Sequence, residues 1–129
     1  MRFNALLLAA CALAAPAFSH HSFAAEFDGT KTVKLEGALT KQEWANPHIW
    51  LYLDVKDSIG AVVKWQCEGG APNGLIRNGW NKDTLKIGDQ ISIDGWLAKD
   101  GSKTCNARSV KLPDGKRVFA GSSNPEGEK

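Results

Sequence analysis

The chain has 129 residues, with 16 Lys and Arg against 14 Asp and Glu for a formal net charge of +2. That length suits one compact domain rather than two, and 43% apolar with 23% charged residues is not the composition of a disordered chain. So small a charge excludes recognition of nucleic acid by bulk electrostatics, and the one long apolar run is too short for a transmembrane helix.

That run stands at the N-terminus. Arg2 supplies a positive start and Ala5 to Ala15 an apolar stretch, followed by Pro16 and small residues, which together predict a signal peptide over 1–19 and export to the periplasm. Small residues permit a cut after Ala17 or after Ser19. Leu8-Ala9-Ala10-Cys11 also has the form of a lipid-attachment box, but the apolar run continues past Cys11, which argues against it. Without Cys11 the exported chain keeps Cys67 and Cys105, which a single bridge would join in an oxidising compartment; two separate buried thiols are the alternative.

Beyond the signal, residues 20–31 read as an N-terminal arm, 32–120 as a β domain and 121–129 as a flexible tail. Turn residues separate short runs rich in Val, Ile, Leu and Trp, and helical periodicity is absent. Strands are predicted from Thr32 to Trp44, His48 to Lys56, Ala61 to Glu68, Gln90 to Leu97 and Asn106 to Leu112, with a short extension from Arg117 to Phe119. The segment from Pro72 to Gly79 allows a short helix between the third and fourth strands. Three strands, a helical connection and two strands is the order of an OB-like, partly open five-stranded barrel; a β-sandwich or SH3-like barrel is the alternative.

Strand parity sorts the side chains, because successive residues point to opposite faces. Ile49, Leu51, Leu53 and Val55 face a core with Val63, Trp65, Cys67, Ile91 and Ile93. The outer face then carries His48, Trp50, Tyr52, Lys64, Gln66, Glu68 and Trp96, on the side where OB barrels take ligands. These seven residues are the predicted ligand-binding set. Asn46-Pro47 would orient His48, the aromatics would offer stacking area, and Lys64, Gln66 and Glu68 would supply polar contacts. Phe23 and Phe27, four apart, would allow the arm to lie over the Trp50 face as a cover instead.

The three histidines suggest a second chemistry. A cut after Ser19 makes His20 the first residue, whose α-amine and imidazole form a chelate suited to Cu(II); a cut after Ala17 places His20 third, where amine, two amides and imidazole make a square-planar site. His20, His21 and His48 are therefore the predicted metal set, with copper the cofactor it would take. Cys-x-x-Cys and His-x-x-x-His zinc patterns are missing. Catalytic signals are weak: no G-x-S-x-G elbow occurs, and parity separates Cys67 from His48. Gly69-Gly70 with Pro72-Asn73-Gly74 is a weak phosphate-loop candidate that lacks the Lys and Ser/Thr of a P-loop.

The segments HHSFAAEFD, EWANPHIWLYLDV, EGGAPNGLIRNGW and DTLKIGDQISIDGWLAKDGS together resemble a family of small exported bacterial proteins of unknown function. The resemblance places the family's histidine pair on His20 and His21 and its Asn-Pro-His on Asn46, Pro47 and His48; Cys67 and Cys105 stand outside its pattern. It implies export and one β domain, without a mechanism. The function expected from the residues is a non-catalytic periplasmic binding module for a small ligand. The alternatives are a copper-handling protein and an envelope module whose aromatic face docks another protein.

Overall fold

A computed structural model describes residues 23–121. A helical turn, α1 (Phe23–Glu26), leads into β1 (Phe27–Glu43), followed by β2 (Trp50–Lys56), β3 (Val62–Glu68), α2 (Pro72–Arg77), β4 (Gln90–Ala98), β5 (Thr104–Lys111) and β6 (Arg117–Phe119). The strands form one six-stranded sheet in the order β3-β2-β1-β4-β5-β6, antiparallel throughout, with a further parallel pairing of β3 to β5 that joins the two sides. The hydrogen bonds therefore ring through five strands as an OB-like barrel, and the expected short extension is a sixth strand paired with β5.

The ring closes because β1 serves two partners. Its first part pairs with β4 as far as Ala38, and its second part pairs with β2 from Gly37 onward. A 17-residue strand could not stay straight in so small a domain, and it bends where the register slips between Leu39 and Lys41. Gly37 sits at the changeover, where a Cβ would lie 2.2 Å from the Asp54 carbonyl oxygen, so the absent side chain admits the close approach of β2. The strand starts at Phe27, five residues before the predicted Thr32, and β5 starts at Thr104 rather than Asn106.

Parity holds in the core. Ile49, Leu51, Leu53, Cys67, Ile93, Cys105 and Val110 are fully buried, and each such aliphatic side chain contributes about 1.5–3 kcal/mol relative to exposure. Cys67 and Cys105 are register partners on β3 and β5 and form a disulfide, so of the two expectations for these cysteines the bridge is correct. Pro72 opens α2, and Gly79, with φ +91°, turns the chain out of it into Trp80, whose indole fills the core beside Leu75 and Leu85.

Candidate functional site

The register produces one row of outward side chains around the ring. Thr32 is opposite Trp96, Trp96 opposite Asn106, Asn106 opposite Glu68, Glu68 opposite Trp50, and Trp50 opposite Glu43, back on β1. Paired residues share a face, so His48, Trp50, Glu68 and Trp96 all emerge on the outer surface as parity requires. The row meets β1 again eleven residues farther along, the kind of stagger that tilted strands need to close; the ring is uneven because β3 and β5 are parallel and share only three register pairs.

His48 precedes β2 and is held by two groups. Its Nδ1 lies 3.0 Å from the Gly69 carbonyl oxygen, which can only accept, so Nδ1–H donates; its Nε2 lies 3.5 Å from Glu68 Oε1. Gly69 and Glu68 hold this ring, and the Asn46-Pro47 peptide bond before it is cis. Gly69 in turn is locked in place: its amide donates to the Ile49 carbonyl, and the Gly70 amide donates to that of Ala120. Both amides are thereby satisfied by backbone, which removes the phosphate-loop reading of Gly69-Gly70.

Trp50 and Gln66 border an open hollow of ≈ 640 Å³ between the outer face and the turn that joins β4 to β5. Phe27 and Ala98 line its inner side, while Lys99, Asp100, Ser102 and Thr104 form a polar rim. Hydroxyl groups organise the rim: those of Ser102 and Thr104 share a hydrogen bond at 3.0 Å, and Gln66 Nε2 donates to Thr104 at 3.2 Å. The Ser102 hydroxyl and amide hold the Asp100 carboxyl below its ordinary range, so the rim keeps an anion at neutral pH. Asp28, under an adjoining hollow lined by Phe23, Phe27, Trp96 and Lys99, is lowered in the same way by the hydroxyl and amide of Thr30.

The predicted ligand set is thus divided. Trp50 and Gln66 meet in the hollow, and His48 pairs with Glu68 beside it. Tyr52 instead lies under Lys41, whose Nζ is 5.0 Å from the ring centroid, with Glu43 held below its usual range mainly by that lysine. Lys64 is exposed and lies 3.8 Å from Asp54. Trp96 meets the edge of Phe23 at 5.2 Å between centroids, with Arg108 near its face. The arm therefore covers Trp96 with Phe23, while Phe27 and Trp50 line the same hollow; the cover is centred on another tryptophan than the expected one.

His20 and His21 lie outside the described residues, and among the described residues no cluster of three or more His, Cys, Asp or Glu side chains is present. Sequence reasoning missed Asn106, which is only 6% exposed although it belongs to the outer row, and Lys99, whose amine donates to the Ala24 carbonyl. Extending strand parity to Cys105 would have found the first; nothing in the spacing signals the second.

A family model matches residues 8–107. The chain belongs to DUF6152, a family of unknown function. The DUF6152 match includes His20, His21, His48, Trp50, Glu68 and Trp96 and stops within β5, so β6 lies beyond it. No curated protein matches the chain.

Proposed function

We propose that this chain is an exported, non-catalytic periplasmic binding module whose small ligand occupies the hollow between Trp50 and the β4–β5 turn. The observation that carries this reading is the meeting of one half-buried indole with an amide, two hydroxyls, a lysine and two carboxylates, those of Glu26 and Asp100, around an open volume. A few placed polar groups beside an aromatic surface are the usual make-up of a site that binds and orients a molecule. The composition suits a polar molecule with one flat apolar side, such as a sugar ring, that stacks on Trp50 and exchanges hydrogen bonds with Gln66 and Thr104. Export is supported by the N-terminal pattern and is compatible with the Cys67–Cys105 bridge, since disulfides persist in oxidising compartments.

Native mass spectrometry of protein purified from periplasm tests the reading. The expected result is one co-purifying molecule of small mass on the wild type that is absent from Trp50→Ala and from Gln66→Ala. The same spectrum for all three proteins would overturn it.

A further inference from the structure

Along β4 the Trp50 hollow lies toward Ala98, whereas Asp94, Gly95 and Trp96 line another, on the outer faces of β1, β4, β5 and β6. Register places Lys34 opposite Asp94, Asp94 opposite Ser109 and Ser109 opposite Phe119, with Lys111 opposite Arg117 in the next row. Here β5 holds one residue more than β4: Asp94 pairs with Ser109 and Gly95 with Ala107, so Arg108 is the extra residue of a bulge. A bulge of this kind re-aims its side chain. Gly95 admits it, because a Cβ there would lie 2.1 Å from the Asn106 carbonyl oxygen. The Arg108 guanidinium carbon is thereby brought to 5.9 Å from the centre of the Trp96 ring.

Trp96 and Phe119 border this second hollow, whose volume of ≈ 580 Å³ falls within the range of small-molecule sites, about 300–1,000 Å³. Its lining holds three cations, Lys34, Arg108 and Arg117, against one carboxylate, Asp94. That carboxylate is already engaged, because Arg117 donates to it and, at 2.9 Å, to the Ser109 hydroxyl. Lys34 has Glu36 at 4.0 Å. Arg108 is exposed and lies by the Trp96 ring, and among the described residues no carboxylate stands within ion-pair distance of it. Phe119, at 42% exposure, adds a flat apolar surface to the same hollow.

We propose that this hollow binds a small carboxylate with a flat ring, which rests against Trp96 and Phe119 while its carboxylate meets Arg108. A guanidinium presents two parallel N–H donors that match a carboxylate, and its planar fork beside an aromatic ring loses little freedom on engaging one. A phosphate would draw on several cations at once, whereas the second guanidinium is committed to Asp94. The site stands apart from the Trp50 hollow and does not depend on a ligand there.

The test titrates the full chain purified from periplasm with benzoate and follows the Trp96 indole N–H and the Arg108 Nε–H by nuclear magnetic resonance. The expected result is saturable movement of both signals. Binding should be at least tenfold weaker for benzamide, which keeps the ring without the charge, and for acetate, which keeps the charge without the ring. Arg108→Gln should weaken benzoate binding at least tenfold and Phe119→Ala severalfold; both side chains are exposed, so both variants should retain the wild-type fold. Benzamide, acetate or inorganic phosphate held as tightly as benzoate would overturn the proposal, as would either variant binding benzoate like the wild type. So would the lack of any saturable movement, or movement of the Trp50 indole alone, which would put the anion in the other hollow.

Discussion

His48 shows how far one residue can be read from its neighbours in sequence. Alternation along β2 places it outward, as it is. The groups that fix its ring come from far along the chain, from Glu68 at the end of β3 and Gly69 just after it. Gly69 is tightly constrained, because a Cβ there would lie 2.7 Å from Ile49 Cγ1 and 3.2 Å from the Ala120 oxygen. Ile49 is fully buried and cannot move aside without disturbing the core. Gly69→Ala should therefore destabilise the domain by about 1–3 kcal/mol, the usual range for overpacking, as measured by urea unfolding. It should also displace the carbonyl that receives the His48 proton. An unchanged midpoint would show that the backbone at Gly69 yields more easily than these distances imply. The sequence offers only a weak phosphate-loop reading of this glycine, whereas the physical cause is packing against residues far away in the chain.

Among the elements, β1 and the arm before it depart most from expectation. The short strands were legible because alternation and turn residues bound them on both sides: β2, β3 and β4 fall within two residues of their expected ends. The start of β1 was not, since Asp28, Gly29 and Thr30 form a turn-like group, and Asp28 accepts from both the amide and the hydroxyl of Thr30. Tertiary pairing overrides that local signal, because Phe27 gains both register with Ala98 and burial to 3% exposure. Phe23 stacks on Phe27 at 5.7 Å between centroids and meets the edge of Trp96, so α1 is held to the sheet by aromatic contact. Phe23→Ala should remove about 1–3 kcal/mol of burial and aromatic contact and leave Trp96 more accessible to a quencher such as acrylamide. If stability and quenching match the wild type, the arm is not fastened through Phe23.

At the scale of the molecule, the ring depends on its narrowest seam. β3 and β5 share only three register pairs, Gln66 with Thr104, Cys67 with Cys105, and Glu68 with Asn106. The disulfide is the middle one, and it closes a sequence separation of 38 residues that contains α2 and β4. Sequence supplied an even pair of cysteines but not their distance, which exists only after β1 has bent far enough to bring β5 beside β3. Chain entropy assigns a loop of this length about 4 kcal/mol of stabilisation through the unfolded state. Reduction, or the double change Cys67→Ala with Cys105→Ala, should lower stability by about 2–4 kcal/mol and speed amide exchange at Gln66 and Glu68 before the β1–β4 ladder is affected. The seam also holds Gln66 at the hollow and Glu68 beside His48. Its loosening should thus weaken binding at the hollow together with stability, whereas Trp50→Ala should weaken binding while the seam stays closed. Hydrogen exchange on the oxidised and reduced protein checks the order of opening. Uniform exchange across the sheet would mean that the seam opens only with the whole domain.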